Sequence, residues 1–275
     1  MQSRIWRIAA AVLGLFALAA GVAAPSQAST SGEPYVMVKS ERYGSDPLQY
    51  VSILRLSTNT GPRPTAYFIH GGSWVMGSPG RWGHEAKVWA ERGWTVVNVS
   101  YRLGVDGRLM IADLKTVTEK YRLKPYVNPR RQLLVGDSAG GHLATLFAAQ
   151  NPSRFRGVVA WSPVISPAQA VADGLAPGAN GESVQLARRA APIWGFSART
   201  TTALSYVSAK TPPLWVAASE NEWLPWRTQG ATLCAALGSR CRSHLMPGTE
   251  HGSRIATAFP ALEDASLAWA ESTVR

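Results

Sequence analysis

Gln132-Leu133-Leu134-Val135-Gly136-Asp137-Ser138-Ala139-Gly140-Gly141-His142-Leu143-Ala144 is the stretch whose reading decides the fold. After Gln132, Leu133-Leu134-Val135 make a short apolar run that ends in a β-branched valine. From Ala139 to Gln150 the composition turns to Ala and Leu, which suits a helix. Between them lies Gly-x-Ser-x-Gly. Taken alone that pattern is weak, and an ordinary strand-to-helix turn competes with it. In a strand–turn–helix context it specifies a nucleophile elbow. Glycines two residues either side of Ser138 let strand and helix approach closely around a strained turn. The hydroxyl then stands at the strand end, near a helix N-terminus that favours developing negative charge. Asp137, inside the turn, is read as capping or orienting it.

Working outward, short runs rich in β-branched and aromatic residues predict strands at 35–39, 50–56, 65–69, 95–100, 132–136, 157–161, 213–218 and 243–246. Helical patterns fall at 81–92, 109–122, 139–150, 226–237 and 254–271. Strands alternating with helices of this size predict an α/β fold: a mostly parallel eight-stranded sheet covered on both faces. The first two strand runs have no helix between them, so the sheet is expected to start antiparallel. Residues from about 163 to 211 break the rhythm and are expected to form a short lid or binding insertion, with a helix near 183–190.

His70-Gly71-Gly72-Ser73-Trp74 directly follows the strand run ending at Ile69. Glycines there let backbone N–H groups point at a developing oxyanion. Together, and in this order, the two motifs resemble the α/β-hydrolase fold, and more closely the hormone-sensitive-lipase-like and feruloyl-esterase-like serine carboxylesterases. Val97-Asn98-Val99-Ser100-Tyr101-Arg102-Leu103 looks like that group's fourth strand ending in Tyr-Arg. Tyr43-Gly44-Ser45-Asp46-Pro47 looks like the hairpin entry of its bacterial esterase subgroup. The resemblance covers residues 35 to 270, about the whole of the expected domain.

The resemblance implies a triad in the order Ser, acid, His. His251, after the last strand run and before the final helix, matches the base; His84, His142 and His244 are the other candidates, and His142 suits packing behind the elbow. The family's acid is normally Asp; here Glu222 takes that place, with Glu220 as the alternative. Oxyanion donors are expected from Gly71, Gly72, Ser73 and Ala139, and His70 is expected to brace their loop. Asp113, on the helix before the elbow strand, is expected to be structural. Trp74 and Trp223 are the first candidates for a substrate pocket, followed by Trp82, Trp194 and Trp226. The implied reaction is hydrolysis of short-chain acyl or acetyl esters through an acyl-enzyme, without metal or organic cofactor. An arylformamidase-like amide hydrolase, which shares His-Gly-Gly-x-Trp, and an inactive binding module of the same fold are the alternatives.

The N-terminus sets the compartment. Arg4 and Arg7 precede an apolar run of 17 residues from Ile8 to Ala24, and the small residues Ser26 and Ala28 stand at the −3 and −1 positions of a cut after Ala28. That is a secretory signal peptide over residues 1–28, followed by a domain at 29–275. An uncleaved anchor is the competing reading, and 17 apolar residues are marginal for a span. In an exported chain Cys234 and Cys241 are expected to pair, the alternative being two buried thiols. The net charge is +11, from 28 basic and 17 acidic residues. The basic residues are dispersed, with no zinc, RNP or helix-turn-helix signature, so no nucleic-acid partner is expected. The expected partner is a small-molecule or polysaccharide-linked ester, with no membrane insertion after cleavage.

Overall fold

Along Ala66-Tyr67-Phe68-Ile69 neighbouring side chains enter two different cores. Tyr67 and Ile69 pack on one face of the sheet with Leu134, Leu143 and Phe147. Ala66 and Phe68 pack on the other with Val135, Trp161, Trp215 and Trp269. This is the period-two geometry of a strand buried on both faces, and it explains why the strand runs read as continuously apolar.

The computed structural model describes residues 34–195, 198–225 and 229–275. The expected signal peptide and Trp226 lie outside the described residues. The strands are β1 (Val36–Arg42), β2 (Tyr50–Leu56), β3 (Arg63–Ile69), β4 (Thr95–Val99), β5 (Val127–Asp137), β6 (Gly157–Trp161), β7 (Leu214–Ser219) and β8 (Cys241–Met246). They form one sheet in the order β1-β2-β4-β3-β5-β6-β7-β8. β1 pairs antiparallel with β2 and β2 with β4, and every later pairing is parallel. The predicted antiparallel start and α/β class are both present.

Helices α1 (Gly83–Glu91), α2 (Gly107–Tyr121) and α3 (Ser138–Gln150) follow β3, β4 and β5. Asp106 caps α2 by accepting from the Arg108 N–H at 2.8 Å. Between β6 and β7 lie α4 (Pro167–Leu175), α5 (Gly181–Trp194) and the one-turn α6 (Ala198–Thr201). The expected helix at 183–190 is therefore longer at both ends. Its N-cap Asn180 accepts from Ser183 N at 2.9 Å, and a second capped helix precedes it. After β7 come α7 (Gly230–Leu237) and, beyond β8, α8 (Arg254–Ala258) and α9 (Pro260–Thr273). The helix expected at 254–271 is thus two helices, because Pro260 cannot continue the first and opens the second. Cys234 and Cys241 form a disulfide between α7 and the start of β8, with Cα atoms 5.1 Å apart. No helix among the described residues is long and apolar enough to cross a membrane.

Candidate active site

Parallel pairing places the C-terminal ends of β3, β5, β7 and β8 along one edge of the sheet, and the loops leaving them carry the predicted residues. Ser138 sits between β5 and α3 with φ 52°, in the left-handed region that a non-glycine residue adopts only under constraint. The fit around it allows no larger residue at its glycines. A Cβ on Gly140 would overlap the carbonyls of Ile69 and His70, and one on Gly136 would overlap the backbone of Gly140. The elbow is therefore pressed directly against the end of β3.

The loop after β3 turns through three positive φ values in succession, at Gly72, Ser73 and Trp74. Asp137 locks it. This fully buried carboxylate accepts from Gly71 N at 2.6 Å and from Arg81 Nε at 2.7 Å. The Gly71 N–H is thus occupied, which removes Gly71 from the expected oxyanion donors; its backbone serves the loop instead. Gly72 and Ser73 remain expected donors, together with Ala139, whose N–H lies in the first turn of α3 and has no intrahelical acceptor. His70 braces the same loop. Its Nδ1 bonds the Gly71 carbonyl at 2.8 Å, its ring stacks on Tyr101 at 4.4 Å, and Tyr101 donates to the His70 carbonyl at 2.7 Å. Burial holds its pKa below the ordinary histidine value.

On the other side of the edge, His251 Nδ1 bonds Glu222 Oε2 at 2.5 Å. The Glu222 side chain is 2% exposed and that of His251 is 14% exposed. Trp223 lies against the His251 ring with centroids 4.4 Å apart. Glu220, by contrast, points to solvent, while its N–H donates to the Met246 carbonyl at 2.8 Å. Asn221 N donates to Gly248 O at 3.0 Å, so two backbone bonds carry the β7–β8 pairing on into the loops. The other ring nitrogen of His251, Nε2, is buried without a hydrogen-bond partner among the described residues. The next residue, Gly252, packs on the Asp137 side chain and donates its N–H to Ser162 Oγ at 3.0 Å. The histidine loop thus rests on the residue preceding Ser138.

The remaining candidates separate cleanly. His142 is fully buried, bonds the Thr201 carbonyl through Nε2 at 2.7 Å, and has its pKa lowered to about 4 by burial. His84 is on the surface and His244 packs on Trp215. Asp113 binds the Arg102 guanidinium and backbone N–H and accepts from Gln49 Nε2 at 2.7 Å, tying the Tyr-Arg strand end to the entry hairpin. Trp74 has no exposed surface and packs edge-on to His142 and Trp194. It supports the loop from behind and does not line an open pocket. Trp82 is likewise core, its ring against Phe68. Trp194 walls a cavity of about 580 Å³ with Ile111, Leu146 and Tyr206. Sequence reasoning missed Arg81, Ser162 and two contacts from the insertion. Ser183 Oγ donates to the Trp223 carbonyl at 3.1 Å, and Arg189 reaches Ser73 Oγ at 3.5 Å. All four touch the loops that carry the motifs, and nothing in their local sequence marks them.

A family model described as the alpha/beta hydrolase fold matches residues 66–254. The chain belongs to the α/β-hydrolase fold family. No curated protein matches it in sequence. Solved structures do match. Esterase B from Lactobacillus rhamnosus superposes with a TM-score of 0.66 at 22% identity, covering 86% of this chain and 88% of its own. A bacterial heroin esterase gives 0.71 at 17% identity, covering 87% and 85%. EstE1, a thermophilic carboxylesterase from a metagenomic library, gives 0.68 at 20% identity, covering 88% and 90%. At these identities the likeness is one of fold.

Proposed function

We propose that this α/β-hydrolase is an exported serine hydrolase that cleaves short-chain acyl or acetyl carboxylic esters. The observation that carries the reading is the buried Glu222–His251 hydrogen bond, with Nε2 left unpartnered and the histidine loop resting on the elbow. Glu222 holds the imidazole in the tautomer that carries its proton on Nδ1 and stabilises the imidazolium that forms. Nε2 takes the proton of Ser138 as its Oγ attacks the ester carbonyl. The backbone N–H groups of Gly72, Ser73 and Ala139 hold the oxyanion. His251 then protonates the leaving alcohol, and a water activated by the same nitrogen hydrolyses the acyl-enzyme. Related structures named as esterases support the ester assignment, and the leader at 1–28 supports export. The cut after Ala28 would leave 247 residues.

The test is a fluorophosphonate label and a substrate panel on the purified protein. Labelling at Ser138, with faster hydrolysis of p-nitrophenyl acetate and butyrate than of long-chain esters, is the expected outcome. An unlabelled Ser138 would make the protein a binding module. Turnover of N-formylkynurenine above that of any ester would move the assignment to amide hydrolysis.

A further inference from the structure

The edge of the sheet opposite the site is ringed by arginines that the proposed reaction does not use. Arg63 opens β3, Arg92 ends α1 just before β4, and Arg130 and Arg131 lie in the first half of β5. Arg156 immediately precedes β6, and Arg275 follows α9. They line two adjoining concavities of about 350 and 530 Å³, which share Arg131, Val274 and Arg275. Glu271 is the single carboxylate side chain on either wall, and it pairs with Arg92 at 3.2 Å. Arg63, Arg130, Arg131, Arg156 and Arg275 have no ion-pair partner among the described residues.

Two of these guanidinium groups are held in place. Arg131 Nε donates to the Val274 carbonyl at 2.5 Å and Arg156 Nε to the Thr273 carbonyl at 3.4 Å. These carbonyls close the C-terminus of α9, where the helix dipole favours cations. The anchoring leaves the terminal N–H groups of both residues for another acceptor. So many unpaired charges in one place repel one another, and an oxyanion ligand relieves that repulsion. All the cations are arginine, whose planar fork matches a carboxylate or phosphate with two parallel hydrogen bonds.

We propose that this face is a docking surface for a linear acidic polysaccharide carrying carboxylates along its repeats. Two joined concavities make a track, which suits a polymer better than a single small anion. Pro64, half-buried on the wall, gives it a small apolar patch for a sugar ring. The one aromatic ring on its walls, Trp94, is 2% exposed, so there is no platform on which the bases of a single-stranded nucleic acid would stack. Because the track lies at the N-terminal ends of the parallel strands, a bound chain leaves the Ser138 edge open. The inference stands independently of the reaction proposed above.

The test is retention of the full chain on immobilised polygalacturonate, with neutral dextran and duplex DNA as parallel supports. The triple variant Arg63→Glu, Arg130→Glu, Arg156→Glu is compared with a control triple, Lys87→Glu, Lys115→Glu, Arg122→Glu, that shifts net charge equally elsewhere. The wild type should bind polygalacturonate at about 50 mM salt, release by about 0.5 M, and pass through dextran. The first triple should bind about tenfold or more weakly, and the control less than about twofold. Should the first triple not fold, as judged by its thermal melt, Arg130→Gln with Arg156→Gln should still weaken binding. Equal loss in both triples, no retention of the wild type, or tighter binding to DNA than to polygalacturonate would overturn the proposal.

Discussion

The half of the site around Ser138 and the half around His251 are held by different forces. The first is steric. Gly136 and Gly140 leave no room for a side chain, and Ser138 and the Gly72–Trp74 loop sit at positive φ because the end of β3 presses on the elbow. The second is polar. Two backbone hydrogen bonds join the loops after β7 and β8, one short carboxylate–imidazole bond spans them, and Gly252 leans on Asp137. Asp137 belongs to both halves, since it also holds Gly71 and Arg81. In the proposed reaction, such a site fixes its nucleophile and oxyanion donors by packing and leaves its base to be oriented by charge.

Substitutions can break that contrast in order of expected size. Ser138→Ala should lower kcat/KM for p-nitrophenyl acetate by about 10⁵-fold or more, with an unchanged thermal melt. Glu222→Gln should cost about 10³- to 10⁴-fold in kcat, because the imidazole loses its orienting charge, whereas Glu220→Gln should stay within about twofold. Equal effects of the two in steady-state kinetics would remove Glu222 from the triad. Stability should also depend on pH through His142, which lies behind the steric half. Its folded pKa is lowered to about 4 from an ordinary 6.5, so its contribution is fully present above 6.5 and is lost as pH falls toward 4. Urea unfolding should show up to about 3 kcal/mol lost over that window, and His142→Gln should flatten the slope. Smallest, Asp137→Ala should cut kcat by about 10- to 100-fold with little change in KM, since it frees the donor loop without touching substrate. A KM effect alone would show Asp137 to be a ground-state contact.

The same contrast accounts for what was legible in the sequence. Steric constraints are written locally: Gly136, Ser138 and Gly140 fall within five consecutive positions, so the elbow and its flanking elements could be read directly. His251 was legible because chain order places it after the last strand. The choice between Glu222 and Glu220 depended on how a loop turns; in the structure Glu222 is buried against His251 and Glu220 is exposed. The bond that withdraws Gly71 from the oxyanion donors links residues 66 apart, and no local pattern encodes it. Trp74 looked like a pocket wall by adjacency, yet its ring turns inward to Trp194, which comes from the insertion. The break at Pro260 was available as a helix-opening proline, but alanines on both sides, which suit a helix, masked it.

The Cys234–Cys241 bridge has a practical consequence for anyone making this protein. It closes a short loop whose removal from the unfolded ensemble contributes about 2–3 kcal/mol of chain entropy. It also pins the start of β8, the edge strand that leads to His251. Material produced in a reducing cytoplasm should therefore melt at lower temperature and inactivate earlier than material folded in an oxidising secretory compartment. The host in which the enzyme is expressed becomes part of its measured activity.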